Sequence, residues 1–258
     1  GCHILGVKDM AGLMKPEAAR RLFSALRQEV GLPIHFHNHD TSGISAATVL
    51  AAVEAGVDAV DAAMDAFSGL TSQPALGSLA AALRDGPRDT GLDARAIREI
   101  SFYWEAARAQ YRAFESDLKA PASEVYLHEM PGGQFTNLKE QARSLGLETR
   151  WHEVAQAYAD ANQMFGDIVK VTPSSKVVGD MALMMVAQGL SVADVMAPEK
   201  DVAFPESVVQ MMRGDLGQSP GGWPKDIQSK VLKGETPITV RPGSLLTADD
   251  LAAHFDSL

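Results

Sequence analysis

The stretch Pro33-Ile34-His35-Phe36-His37-Asn38-His39 predicts a β-strand, and it is the middle one of three predicted strands. The strand before it spans residues 3–8, where a short apolar run is typical of a buried strand. The strand after it runs from Val57 to Ala63. The first part of the chain is therefore built around three strands that follow one another along the sequence.

Helices are predicted between these strands. The first begins at Pro16, a favourable first helical residue, and runs to about Val30, because apolar residues recur along it at helical spacing. The second spans residues 44–54, and a glycine follows each helix as a stop signal. Strands and helices that alternate with short links are typical of right-handed parallel units. This order predicts part of an open doubly wound sheet or part of a (β/α)8 barrel.

The pattern changes after about residue 70, where strand signals nearly vanish and helical segments follow one another. Pro131-Gly132-Gly133 and the cluster at residues 219–222 are predicted as turns or loops. We expect one domain with two parts, an α/β part over residues 1–80 and an all-α helical extension over residues 81–258. The predicted helices of the second part are Leu92–Glu115, Glu148–Met164, Ser175–Gln188, Pro205–Met212 and Pro224–Leu232.

The composition is that of a globular protein, since 46% of the 258 residues are hydrophobic and 22% are charged. The net charge of −10, without a basic stripe, argues against nucleic acid as a partner. The longest apolar run, Met181–Ala187, is too short to cross a membrane. A single cysteine and the lack of a secretory leader favour a cytoplasmic location. Because the chain begins at Gly1 and enters a strand almost at once, we expect it to be a section of a longer polypeptide.

Three histidines on the middle strand are the densest chemical signal in the sequence. Residues two apart on a strand project to the same side, so His35, His37 and His39 line one face. His37 and His39 fall at the carboxyl end of the strand, where α/β enzymes keep their active sites, and two imidazoles at this spacing can hold one divalent cation. The alternative is a set of hydrogen-bonded histidines without a metal. His35 lies one pleat deeper and is expected to be structural.

Lys8 ends the first predicted strand and should point into the same region. An ammonium group that is buried next to a cation site is unfavourable and needs an explanation. Three remain open: a salt bridge, a nucleophile that forms a Schiff base, or conversion to a carbamate that supplies an oxygen ligand. The charges of the sequence favour a salt bridge with Asp9 or Asp40.

Four motifs give the chain a specific family resemblance. Val7–Leu13 (VKDMAGL), followed by His37–Gly43 (HNHDTSG), resembles the carboxyltransferase domain of biotin-dependent carboxylases. Val169–Asp180 (VKVTPSSKVVGD) narrows the resemblance to the pyruvate carboxylase branch, and His128–Gln134 (HEMPGGQ) is similar to that branch as well. The alternatives within the family are the α subunit of oxaloacetate decarboxylase and transcarboxylase, in which the serine and lysine of the third motif are usually replaced.

The resemblance implies a role for six residues. His37 and His39 would be metal ligands, and Lys8, as a carbamylated lysine, would supply a third ligand to zinc or manganese. Thr172 would carry a proton between pyruvate and the biotin ring, and Ser175 and Lys176 would help to form the pocket for carboxybiotin. Without the resemblance, Thr172 before an apolar helical run would be predicted as a helix N-cap.

The resemblance also implies a reaction, a fold and partners. The reaction moves CO2 from carboxybiotin to the enolate of pyruvate and gives oxaloacetate. The fold would be the last three strands of a (β/α)8 TIM barrel, followed by a helical funnel. Biotin would be attached to a carrier domain outside this chain, ATP and bicarbonate would be used by another missing domain, and the protein would be a homo-oligomer, a tetramer in the family. A eukaryotic member would be in the mitochondrial matrix.

Two departures from the family pattern affect these expectations. Asn38 stands where the family usually has threonine, but its side chain should point away from the metal. The remaining metal ligand, an aspartate, and the pyruvate-binding residues of the family would precede Gly1. We therefore expect the isolated chain to be an inactive fragment.

Overall fold

The structure is a computed structural model, and it describes residues 1–256. The described residues form two compact units that divide between Glu140 and Gln141. The first unit is an α/β structure and the second is helical. No described helix has both the length and the apolar character needed to span a membrane.

Three parallel strands form the sheet of the first unit, in the order β1 (Leu5–Asp9), β2 (Ile34–Asn38) and β3 (Ala59–Val60). Lys8 is paired with His37 in the register of β1 and β2, and His35 is paired with Ala59 in that of β2 and β3. The carboxyl ends of all three strands therefore lie at one edge of the sheet, and the residues after them can meet there.

The helices of the first unit lie between and after these strands. Helix α1 covers one face of the sheet with α2, and Phe23 of α1 packs edge-on against Phe36 of β2, with ring centroids 4.9 Å apart. Both phenylalanines are fully buried, and burying a side chain of this size contributes about 2–3 kcal/mol. The other face of β2 carries its histidines. The helices are α1 (Pro16–Glu29), α2 (Ser45–Glu54), α3 (Leu76–Leu83), α4 (Ala94–Gln110), α5 (Val125–His128) and α6 (Gly132–Ser144), the last of which continues past the division between the units.

The second unit is built from further helices, and no strand occurs among its described residues. A closely packed pair, α7 and α8, forms its centre, with Tyr158 of α7 and Met181 of α8 fully buried. Helix α10 packs on α8 and on α11. The helices are α7 (Trp151–Met164), α8 (Ser174–Gln188), α9 (Val192–Met196), α10 (Glu206–Arg213), α11 (Lys225–Leu232) and α12 (Ala248–Asp256).

The predicted strand–helix order and the parallel sheet are confirmed, and the predicted ends of the first two helices are correct to within one residue. The prediction of a turn at Pro131-Gly132-Gly133 was wrong, because helix α6 begins at Gly132. The Pro131 carbonyl accepts the first helical hydrogen bond, from the N–H of Phe135 at 2.8 Å. Proline is compatible with this position because the first helical N–H groups need no partner within the helix.

Candidate active site

The two histidines at the end of β2 point their rings at each other. His37 lies on the strand face opposite Phe36, and His39 follows it after one further alternation, so both side chains reach the same side. The Nε2 atom of His37 lies 3.2 Å from the Nε2 atom of His39. Asn38, between them, is buried on the other face, as the sequence predicted.

The other ring nitrogen of each histidine has a partner of its own. Nδ1 of His37 lies 2.6 Å from a carboxylate oxygen of Asp61, and Nδ1 of His39 lies 2.6 Å from the backbone carbonyl oxygen of Thr71. A carbonyl or an ionised carboxylate can only accept a hydrogen bond, so both Nδ1 atoms carry the proton. In the neutral rings, both Nε2 atoms then present a lone pair to the same small volume.

This pair of lone pairs fits a divalent cation. Two imidazole nitrogens bound to one zinc ion at tetrahedral angles are roughly 3.3 Å apart, close to the observed separation of 3.2 Å. Burial lowers the pKa of His39, and this effect outweighs the hydrogen bond to the Thr71 carbonyl, which raises it. The ring is therefore kept in the neutral form that binds metals. Among the described residues, no group of three or more His, Cys, Asp or Glu side chains is arranged to hold an ion.

Asp61 is a component of this site that the sequence analysis did not single out. Its carboxylate accepts from Nε2 of His35 at 2.8 Å and from Nδ1 of His37 at 2.6 Å. Burial opposes ionisation of this carboxyl, but the two histidine hydrogen bonds outweigh it and lower the pKa of Asp61. The predicted third strand, Val57 to Ala63, runs through Asp61, whereas β3 ends at Val60 and Asp61 follows it directly. The end of the strand, where site residues are expected, was therefore not visible in the sequence.

Lys8 lies beside His37 in the sheet register, and residues paired in this way on parallel strands face the same side. Its side chain is exposed, so the prediction of a buried lysine was wrong. The predicted salt bridge is also absent from the described residues. Asp9 instead accepts from the backbone N–H groups of Leu13 and Met14, and Asp40 accepts from that of Ser45.

The turn that follows β1 is packed against the end of β2. Gly12 has φ = 70°, in the left-handed region that favours glycine, and a Cβ atom there would lie 2.2 Å from the carbonyl oxygen of His39. Its own carbonyl accepts from the Ser42 hydroxyl at 2.8 Å. Each turn therefore holds the other in place.

The motif at residues 128–134 forms part of the same site. The backbone N–H of Gly132 donates to the carbonyl of Met10 at 2.9 Å, and the glycine lies against the His39 ring. A Cβ atom at Gly132 would lie 2.8 Å from Nδ1 of His39 and 2.9 Å from the carbonyl oxygen of Thr71. Only glycine therefore fits beside the hydrogen bond that orients His39.

The predicted cofactor-facing residues lie in the second unit, at the start of α8. Thr172 is exposed and precedes a cis peptide bond to Pro173. The N-cap prediction for Thr172 was wrong, because Pro173 occupies that position and makes no side-chain cap. The reason is local: the Ser174 hydroxyl, and not that of Thr172, bonds the backbone here, accepting from the N–H of Val171 at 3.1 Å.

Ser175 and Lys176 occupy the first turn of α8 but differ in exposure. Ser175 is buried, and its carbonyl accepts from the hydroxyl of Tyr158 at 3.4 Å. Lys176 is exposed, and its Nζ atom lies 2.5 Å from a carboxylate oxygen of Asp180 one turn along the helix. Asp180 also accepts from the Ser207 hydroxyl at 2.6 Å, which fixes this carboxylate.

Two protein families match the chain, one in each part. The family described as "HMGL-like" matches residues 1–103, and the family described as "Conserved carboxylase domain" matches residues 125–258. The first match covers all three strands and the histidine pair, and the second covers the segment that contains Thr172.

Curated relatives match nearly the whole chain. The chain is 51% identical over 246 residues to the pyruvate carboxylase of Bacillus subtilis, which covers 95% of the chain and 21% of that protein. It is 49% identical over 256 residues to the mitochondrial pyruvate carboxylase of Homo sapiens, covering 98% of the chain and 22% of that protein. The chain thus spans about a fifth of the length of these relatives.

A solved structure is similar in both sequence and shape. The carboxyl transferase domain of Rhizobium etli pyruvate carboxylase, determined with pyruvate and biocytin, is 76% identical, with a TM-score of 0.96 over 100% of this chain and 43% of that one. The match to the conserved carboxylase domain over more than half of the chain shows the family, and the identity to these relatives and the structural agreement support it. The chain belongs to the pyruvate carboxylase family.

Proposed function

We propose that this chain is the carboxyltransferase segment of a pyruvate carboxylase, a biotin-dependent ligase that transfers CO2 from carboxybiotin to the enolate of pyruvate to give oxaloacetate. The observation that carries the proposal is the pair of Nε2 lone pairs of His37 and His39, 3.2 Å apart at the carboxyl edge of a parallel sheet. Family membership supports it, and the Rhizobium etli relative was determined with pyruvate and biocytin.

In this proposal His37 and His39 hold a divalent cation, zinc or manganese, and Lys8 supplies a third donor after conversion to a carbamate. The position of Lys8 beside His37 in the sheet register supports that role. A methyl ketone is a weak acid, and the bound cation would supply the positive charge that stabilises the developing enolate oxygen. The two Nδ1 hydrogen bonds hold the imidazole rings ready for this task.

Thr172 is proposed to move the proton, with Ser175 and Lys176 forming part of the carboxybiotin pocket. A threonine hydroxyl is a poor base at neutral pH, but its Oγ1 can accept one proton while it gives up another. The exposed position of Thr172 supports this role, because its hydroxyl is not used to cap α8.

The other parts of the reaction are proposed to lie outside these residues, because the chain spans about a fifth of its relatives. They are a biotinylated carrier domain and a domain that uses ATP and bicarbonate. We also propose a homo-oligomer, a tetramer as the family resemblance implies, and a cytoplasmic location. The barrel part over residues 1–80 and the funnel part over residues 81–258 remain a proposed division, and the isolated chain is proposed to be inactive.

The test is Thr172→Ala in the intact carboxylase, with Thr172→Ser as the matched control. The account predicts that the alanine variant loses oxaloacetate formation from pyruvate by about 100-fold or more while bicarbonate-dependent ATP cleavage continues. The serine variant should recover much of the loss, because it keeps the hydroxyl. Oxaloacetate formation by the alanine variant at the normal rate would remove Thr172 from the mechanism.

A further inference from the structure

The Asp61 carboxylate bridges two histidines that lie on the same face of β2. One oxygen accepts from Nε2 of His35 at 2.8 Å, and the other accepts from Nδ1 of His37 at 2.6 Å. Two hydrogen bonds, one to each oxygen, fix the rotation of the carboxylate as well as its position. His35 therefore has a structural role, as its place one pleat deeper predicted, because it bonds Asp61.

The hydrogen bond from His37 to Asp61 decides which ring nitrogen of His37 carries the proton. A neutral imidazole carries its proton on one of two nitrogens, and an acceptor at Nδ1 selects the form in which Nε2 is bare. Without that acceptor, the proton can move to Nε2, where it blocks coordination. The carbonyl of Thr71 has the same effect on His39, but it belongs to the backbone and cannot be removed by substitution.

We infer that Asp61 is the positioning residue that keeps His37 in its metal-binding form, with His35 as the clamp on its second oxygen. The inference rests on the proposed cation site and goes beyond it, because it assigns a role to a residue that touches neither the cation nor the substrate. Partners of this kind raise metal affinity by making the ring a better ligand and by fixing its orientation.

The test uses Asp61→Asn and Asp61→Ala in the intact protein. Asparagine keeps the size of the side chain, but its amide nitrogen can only donate, so one histidine loses its acceptor. Asp58→Asn is the matched control. Asp58 lies three residues before Asp61, and the exposed fractions of the two side chains are 39% and 38%. Asp58 accepts hydrogen bonds from Arg27 and from the N–H of Ile34, and none from a histidine of the described residues.

Two readouts separate positioning from a general loss of structure. The first is the Kd for Zn²⁺ and for Mn²⁺, measured against a competing chelator, which should weaken by about 10–100-fold in both Asp61 variants and stay unchanged in Asp58→Asn. The second is the ¹⁵N NMR spectrum of the histidines in the metal-free protein. It should show His37 protonated at Nδ1 in the native protein and a mixture of the Nδ1-protonated and Nε2-protonated rings in Asp61→Asn. The Tm of Asp61→Asn should equal that of the native protein.

Native Kd values and an unchanged His37 signal in both Asp61 variants would overturn the inference alone. A native protein that binds neither cation would instead overturn the proposed cation site, and the inference with it. The two failures are distinguishable because the first leaves metal binding intact and the second is seen before any substitution is made.

Discussion

His128 is a residue whose protonation the fold controls. It is buried, its Nδ1 accepts from the backbone N–H of Met130 at 3.0 Å, and its ring stacks on Phe135. Because the imidazolium form would lose its hydration, burial lowers the pKa of His128 from 6.5 to about 4. The neutral ring thereby holds the turn that leads into α6 and to Gly132.

The stability of the protein should fall in acid because of this histidine. The unfolded chain binds a proton near pH 6.5 and the folded chain near pH 4, so the contribution is fully present above pH 6.5 and declines between pH 6.5 and 4. The full loss over this range is about 3 kcal/mol. The unfolding free energies of the native protein and of His128→Asn should be measured by chemical unfolding at several pH values. Only that of the native protein should fall with decreasing pH between pH 6.5 and 4. Parallel profiles would contradict the assignment.

At the scale of elements, the start of α6 shows how a helix can support a site without contributing a ligand. Gly132 lies against the hydrogen bond between His39 and Thr71, and Gly133, one residue later, has open space where a Cβ atom would be. The same helix turn therefore offers two glycines with the same local propensity and different surroundings.

Gly132→Ala should weaken cation binding, whereas Gly133→Ala should leave it unchanged. The added methyl group at Gly132 would be under 3 Å from both His39 Nδ1 and the Thr71 carbonyl, so the ring must turn or the backbone must shift. We expect a loss of about 1–3 kcal/mol in unfolding free energy and weaker binding of Zn²⁺. At Gly133, alanine is a better helix former and should stabilise the protein by up to about 1 kcal/mol. Equal effects of the two substitutions would contradict this packing.

The sequence predicted these elements well where local pattern decides them. The strand that contains His35 and His37, and the helices on either side of it, follow from apolar spacing and from glycine and proline signals. The start of α6 was missed because glycine pairs usually mark turns, and here packing against His39 and Met10 favours a helix.

The partners of the histidines could not be predicted from local pattern. Asp61 and Thr71 are 24 and 32 residues away from the rings that they orient. The register of β2 and β3 brings Asp61 to His37, and the hydrogen bond from the Asp40 N–H to the Ser72 carbonyl brings the Thr71 segment to His39. The exposure of Lys8 was missed for a similar reason, since the burial of a strand end depends on what covers it and not on the strand itself. The absence of an N-cap bond from Thr172 depends on how Ser174 turns its hydroxyl back to the backbone.

At the scale of the whole molecule, the proposed site residues are divided between the two units. The histidine pair and Asp61 belong to the first unit, and Thr172 with Ser175 and Lys176 belongs to the second. Each group lies in a segment that matches a different family. The first segment matches the HMGL-like family, and the second matches the conserved carboxylase domain. The proposed reaction needs both, because the enolate must be stabilised at one group while a proton is moved at the other.

The most direct test of the account is to locate a metal in crystals of the protein by anomalous X-ray diffraction, after loading with Zn²⁺ or Mn²⁺. The account predicts an anomalous peak between the Nε2 atoms of His37 and His39, at about 2.0–2.2 Å from each nitrogen. Metal-loaded crystals in which the anomalous peak lies elsewhere would contradict it.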